Sequence, residues 1–385
     1  MPIRFIHVRA GANRLLGHLP HRYCPLPVNK SSKQFLFDLL ATPSPTGWEV
    51  AGQRKWAAFL RTHADAVNSD AYGNAWATLT GTAEGGPVVM LEAHADEIGF
   101  IVKAVTSEGF LRVDRIGGID HATARGRRVS IMGDKGTVLG VIGNTAIHLR
   151  DREDEKAPKV HELYVDIGAS NPKEVDKAGI RVGHPLVYQD NAEEFGRNRI
   201  VGRALDNRIG GFIIAEVTRR LAAESTRPEA TLVAANCVHE EIGGMGSMMV
   251  AHRLMPSVCV VLDVTHATDS PGIGEDKHGK VTLGGGPALT HGAANHPKVT
   301  ERIMEVAKAE GIGLQHEAAS RYTGTDADSI YPIREGIPTG LISLPLRYMH
   351  SVVETADFGD VEQVVQLLCA FVKSVRAKDS FAVVI

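Results

Sequence analysis

Residues 207–264 read NRIGGFIIAEVTRRLAAESTRPEATLVAANCVHEEIGGMGSMMVAHRLMPSVCVVLDV, and the spacing of their apolar positions decides the fold class. Asn207–Ala223 carries apolar residues at helical spacing, and Thr231–Val238 is a short apolar run of strand length. Met245–Leu254 returns to helical spacing and Val258–Val264 is a second buried-strand run, so helix and strand alternate as in an α/β layer. The pattern extends both ways. Upstream, Lys33–Leu40 and Thr46–Thr62 read as helices and Val88–Ala93 as a buried strand. Downstream, Lys298–Glu310 reads as a helix, Leu314–Ala318 and Thr339–Leu344 as strands, and Asp360–Lys378 as an amphipathic helix. The expectation is an α/β fold, a mixed-sheet core with helices on both faces.

Between the two α/β stretches the texture changes. From Phe100 to Gln189 short β-like runs are separated by Gly and Asp, among them Arg127–Met132, Thr137–Gly143, Leu163–Ile167 and Pro185–Tyr188. Insertion of a small β domain at a surface loop leaves a host core intact. The expected organisation is therefore a discontinuous core of residues 31–99 and 190–385, an inserted β domain of residues 100–189, and an N-terminal extension of residues 1–30. The charged run Asp151–Lys159 reads as a solvated loop.

With 385 residues, 43% hydrophobic and 23% charged, the chain has ample material for a core, which excludes a disordered or fibrous polymer. Its 42 basic and 45 acidic side chains give a net charge of −3, without the basic excess that nucleic acid or an anionic membrane demands. No apolar run reaches the roughly 20 residues that span a bilayer, and Met1–Lys30 lacks the pattern of a secretory signal. Cys24, Cys237, Cys259 and Cys369 show no CxxC spacing, which argues against a disulfide framework or a thiolate zinc site and fits a cytoplasmic protein.

Acid and imidazole groups recur where apolar strands end: His94 and Asp96 after Val88–Ala93, Glu240 and Glu241 after Thr231–Val238, Asp263 near the end of Val258–Val264, and His350 after Leu341–Pro345, with Asp206 just before a helix. In open α/β sheets the carboxyl ends of strands form the binding crevice, so these side chains can converge. Two imidazoles and several carboxylates make a nitrogen–oxygen ligand set suited to Zn²⁺, Co²⁺ or Mn²⁺.

The segments carrying these residues are HADEIG (94–99), ALDNRIGG (204–211), HEEIGGMGS (239–247), VLDVTHATD (261–269), TGTDADSI (323–330) and RYMHSVVE (347–354). In this order they resemble the M42 family of dinuclear metallo-aminopeptidases, and the resemblance runs from about Ser31 to Val375. It implies an α/β peptidase core with a β-barrel-like insert used for dimerisation, in assemblies that can reach a dodecamer. It also implies two divalent metal ions, zinc above cobalt or manganese. His94 and Asp263 would bind one, Glu241 and His350 the other, and Asp206 would bridge them. Glu240 would be the general base for a metal-bridging hydroxide that removes N-terminal residues from short peptides. Asp96 would accept the N–H of the His94 ring, and the Asp206–Asn207 peptide would be cis.

The segment Gly284–Pro297 lacks the charged residue usual in the family after its Gly-Pro pair, which leaves substrate preference open. An amidase or deacylase acting on a modified or N-blocked small peptide is the alternative, with glycoside hydrolysis a more distant one. His239 and His266, beside proposed site residues, are candidates for outer contacts with the centre. His121, His148, His161, His184, His291, His296 and His316 read as surface or loop residues, and Gly243–Gly246 as a tight turn, since no GKS/T follows it.

Overall fold

The computed structural model describes residues 29–150 and 156–385. All but the last two residues of the expected N-terminal extension, Cys24, and the first half of the charged run 151–159 lie outside the described residues. The chain opens with helices α1 (Lys30–Leu40) and α2 (Val50–Leu60), followed by strands β1 (Ala66–Ser69), β2 (Ala75–Leu79) and β3 (Val88–His94). Six strands then follow: β4 (Gly99–Val105), β5 (Leu111–Ile116), β6 (Arg128–Gly133), β7 (Gly136–Ile142), β8 (Tyr164–Asp166) and β9 (Pro185–Tyr188), with α3 (Pro172–Lys177) before the last. The remainder comprises β10 (Glu193–Phe195), β11 (Arg199–Gly202), α4 (Leu205–Ala223), β12 (Thr231–Cys237), α5 (Met245–Leu254), β13 (Val258–His266), α6 (Glu275–His278), β14 (Ala288–Gly292), α7 (Pro297–Glu310), β15 (Gln315–Ala319), α8 (Ala327–Ile330), β16 (Thr339–Leu346), β17 (Glu354–Asp357) and α9 (Phe358–Ser374).

Eight strands form one mixed sheet in the order β1-β2-β12-β3-β13-β16-β14-β15. Its centre, β12-β3-β13-β16, is parallel. Because side chains alternate across a strand, each central strand feeds two cores. Val89, Leu91, Leu232, Ala234, Val260 and Leu262 pack with Phe212, Ile213, Val364 and Leu368 of α4 and α9 on one face. Met90, Val233, Cys237, Cys259 and Val261 pack with Val250 and Ala251 of α5 and Ala327 and Ile330 of α8 on the other. Strands β4 to β9 close into an antiparallel barrel in the order β4-β5-β8-β7-β6-β9, filled by Phe100, Val113, Ile131, Val165 and Leu186. No helix among the described residues is long and apolar enough to cross a membrane.

The second helix starts at Val50 rather than at Thr46. Residues 44–46 are instead tied to the chain after β3: the backbone N–H groups of Glu97 and Thr46 exchange bonds with the carbonyls of Ser44 and Glu97, at 3.1 and 3.2 Å. His184, expected on the surface, is buried at 5% exposure and shares a hydrogen bond of 3.1 Å with Asp134, because it closes the barrel between Gly183 and β9.

Glu97 is a buried junction between the first helices and α4. One carboxylate oxygen accepts from Arg208 at 2.5 Å and from the Ser44 N–H at 2.8 Å, and the other accepts from Arg203. Arg208 also donates to the Leu39 carbonyl at the end of α1. Removing one member of a buried ion pair strands the others without solvent, so Glu97→Ala should lower unfolding stability by about 3–5 kcal/mol. Urea denaturation checks this, and a loss below about 1 kcal/mol would mean that the two arginines are solvated.

Candidate active site

Asp206, Glu240, Glu241, Asp263 and His350 line a cavity of about 710 Å³ beyond the carboxyl ends of the parallel strands, and His94 packs behind them against Asp206. His94 is the last residue of β3, and Asp263 lies two residues beyond Val261, which pairs opposite Glu92. Period-two alternation therefore sends both side chains out of the same sheet face. Glu240 and Glu241 form a short turn after β12, entered through His239 at φ 65°. Asp206 follows Ala204 at φ 59° and precedes a cis peptide to Asn207. His350 itself has φ 63°. Left-handed backbone at these three non-glycine residues, Ala204, His239 and His350, is held there by its surroundings.

Two groups share Asp206. His94, Asp206 and Asp263 offer ligand atoms within 4.8 Å of one another, and so do Asp206, Glu241 and His350. The His94 Nε2 lies 3.1 Å from Asp206 Oδ1 and 3.8 Å from Asp263 Oδ1. The His350 Nε2 lies 3.3 Å from Asp206 Oδ2 and 3.6 Å from Glu241 Oε2. Glu240 points at the same centre, its Oε2 3.7 Å from His94 Nε2. Both rings turn Nδ1 toward a backbone carbonyl, His94 to Asp96 at 3.2 Å and His350 to Gly118 at 3.0 Å. With Nδ1 held as a donor to a carbonyl, Nε2 is the nitrogen that faces the carboxylates: it donates to Asp206 while the ring is protonated and is the atom that would serve as a ligand once a metal displaced that proton.

The Asp96 carboxylate is farther from the His94 ring, at 3.6 Å, than its own carbonyl is. It accepts the backbone N–H groups of Glu240 and Glu241 at 3.1 and 3.2 Å and the Thr46 hydroxyl at 2.8 Å, so it fixes the turn that presents both glutamates. Glu354, the last residue of the RYMHSVVE segment, does the same for two other site residues. Its buried carboxylate accepts the N–H of Asp206 at 3.1 Å and of His350 at 2.9 Å. Sequence reasoning gave neither Glu354 nor Gly118 a part; the only available signal was Glu354's place in that segment. In TGTDADSI, Asp326 is buried and accepts the Ser247 hydroxyl, while Asp328 caps the N–H groups of Thr323 and Gly324. His239 faces Glu49 at 3.7 Å, and His266 is an exposed residue on the cavity wall.

Crowding carboxylates out of water shifts their protonation. Burial pushes Glu240 up to about 9, opposed by His94 and aided by Asp263, Asp326 and Asp206. Burial likewise raises Asp263 to about 7 and Glu241 well above the carboxylate range. Burial would lower the His94 imidazole, but Glu240, Asp206, Asp96 and Asp263 outweigh it and hold the ring well above its ordinary value. Asp206 runs the other way: burial raises it, yet hydrogen bonds from His350 and His94 hold it below the usual range. One glutamate oxygen, Glu241 Oε1, is buried with no hydrogen-bond partner among the described residues. An oxygen in that position is left to a proton or to a cation. The donor set, imidazole nitrogen and carboxylate oxygen without thiolate, fits borderline divalent metals.

Comparison with known proteins gives this geometry a lineage. Residues 73–367 match the sequence model described as M42 glutamyl aminopeptidase. The chain belongs to the M42 aminopeptidase family. This M42 chain is 34% identical to a lysyl aminopeptidase of Pyrococcus furiosus, over 89% of its own length and 96% of that protein. Its fold superposes on the TET aminopeptidase of Thaumarchaeota archaeon SCGC AB-539-E09 with a TM-score of 0.85 at 29% identity, covering 90% and 97% of the two chains. It also superposes on the TET1 peptidase of Pyrococcus horikoshii, a protein that can assemble into a tetrahedron or a large octahedral shell. There the TM-score is 0.79 at 27% identity, with 89% and 99% covered. M42 proteins are aminopeptidases, hydrolases that act on peptides.

The raised acids have a consequence for stability. Asp263 and Glu240 are raised from 3.8 and 4.5 to about 7 and about 9, so between these limits the folded protein holds protons that the unfolded chain has released. Stability they contribute is full at low pH and is lost as pH rises through about 7 and then about 9. The raised His94 and His350 act in the same sense, and the depressed Asp206 stays ionised throughout this window. Chelator-treated protein should therefore melt at lower temperature at about pH 9 than at about pH 6, and added Zn²⁺ should recover most at the higher pH. A melting temperature independent of pH and of metal would contradict the charge balance described.

Proposed function

We propose that His94 and Asp263 hold one divalent ion, that Glu241 and His350 hold a second, and that Asp206 spans the two. The observation that carries this reading is the single shared carboxylate joining two three-residue groups, each within coordinating reach. Such ions, zinc first among those suited to the donor set, would supply Lewis acidity and lower the pKa of bound water toward about 7. The residues supply the rest. Asp206, anionic because of its two imidazoles, offsets repulsion between neighbouring dications. Glu240 stands next to Glu241, with Oε2 facing the centre and no ligand role, and takes a proton from the attacking water and delivers it to the departing amine. Burial holds it at about 9 while no cation is near, and neighbouring dications would pull it down toward the range in which a carboxylate can both accept and return a proton.

The reaction proposed is removal of the N-terminal residue of a short peptide, whose free α-amine is held at the same centre as the scissile carbonyl. The family assignment supports peptide hydrolysis over the deacylase alternative. Because the TET1 relative assembles into closed shells, we also propose a homo-oligomer built from the barrel, with access restricted to short peptides.

Glu240→Gln should lower kcat by at least about 10²-fold while both metals stay bound, as read from steady-state kinetics and metal analysis of the same preparation. Retained turnover, or loss of metal, would contradict the assignment. Aminoacyl-anilides assayed beside N-acylated dipeptides give the substrate class: cleavage confined to the acylated set would replace the aminopeptidase reading.

A further inference from the structure

The barrel reaches the site through one turn. Strand β5 ends at Ile116, paired with Gly99 at the point where β4 leaves the core. The next residues, Gly117 to Asp120, lie against His350 and Glu241. The Gly118 carbonyl accepts from the His350 ring at 3.0 Å, and the Asp120 N–H donates to the His350 carbonyl at 3.3 Å. Between them Ile119 is buried in the barrel's hydrophobic cluster, and that cluster also takes in Val352 from the far side of His350. The His350 loop is therefore pinned to the barrel at its ring, its backbone and an apolar anchor, and these contacts offset the cost of the left-handed conformation at His350.

Neither glycine has room for a side chain. A Cβ on Gly118 would stand 2.7 Å from Nδ1 and 2.8 Å from Cε1 of the His350 ring. A Cβ on Gly117 would stand 3.0 Å from Glu241 Oε2, and Gly117 also has φ +67°. Both close approaches fall on the residues assigned to the second ion, while His94 and Asp263 take no bond from this turn. We propose that the barrel turn Gly117–Asp120 is a positioning element of the second metal position, setting the His350 ring and the Glu241 carboxylate, and that the barrel is thereby part of the metal-binding apparatus. This rests on the metal assignment of the preceding subsection.

The test is metal binding by the full chain, stripped with chelator and titrated with Zn²⁺ against a competing indicator, with bound metal counted by elemental analysis. Wild type should take up two ions. Gly118→Ala should keep one at wild-type affinity and bind the other at least about tenfold more weakly, the range seen when an outer partner of a ligand is disturbed. Gly136→Ala, in the barrel with φ +118° and open space around its Cβ, should bind as wild type does. Should Gly118→Ala fail to fold, Val352→Ala carries the same test, since it loosens the anchor without touching the ring. Two ions bound at wild-type affinity by the variant, or equal weakening of both, would overturn the proposal. A wild-type protein that binds no ion would instead remove the metal reading beneath it.

Discussion

Four carboxylates and two imidazoles brought within a few ångströms, largely out of water, impose the strongest constraint on this molecule. Like charges at such distances in a medium of reduced dielectric repel by several kcal/mol, so the arrangement needs compensating positive charge. Among the described residues that make up the cluster, the imidazoles alone supply it. The rest is met by protons on raised acids or by cations, and one buried Glu241 oxygen has no hydrogen-bond partner to share that burden.

Much of the surrounding structure exists to keep that charge in place. Two buried carboxylates that do not enter the ligand groups, Asp96 and Glu354, each accept two backbone N–H groups from residues that do or from their neighbour Glu240. They hold the site by its main chain and leave the working side chains free to face one another. For Asp96, burial is outweighed by His94 and by hydrogen bonds to the ionised form, which hold it below its ordinary value, whereas burial and Asp206 hold Glu354 well above its own. Behind them the Glu97 junction ties α1 and the loop before α2 to α4, whose first turn holds the shared Asp206. Strain in the three left-handed residues is thus balanced by contacts spread over the core and the barrel.

The α/β alternation was legible because it depends on local periodicity. Val258–Val264 reads as a buried strand from its composition alone, and it lies at the centre of the sheet. The change of texture after Phe100 was legible for the same reason, in runs that form strands of the closed barrel. Less legible were features in which distant backbone overrides local preference. Thr46–Glu49 is a turn, closed by the Trp48 N–H on the Pro45 carbonyl and tied to Glu97 through Ser44 and Thr46, so α2 begins later. His184 carries no local sign of burial, and only barrel closure places it against Asp134. Among the site residues, the acids and imidazoles stood out because unpaired charge at a strand end is expensive. Gly118 did not, since a glycine's backbone carbonyl has no signature in sequence.

What the chain's residue order determines by itself is the set of elements and the chemical kind of the cavity: nitrogen and oxygen donors at the ends of parallel strands, without thiolates. Tertiary structure alone decided which donors meet, that one aspartate belongs to both groups, and that a turn of the barrel touches two of them. The physical reason is range. Periodicity and charge at a strand end are properties of a few neighbouring residues. Coordination distance and the orientation of an imidazole depend instead on segments more than a hundred residues apart being packed to within about half an ångström.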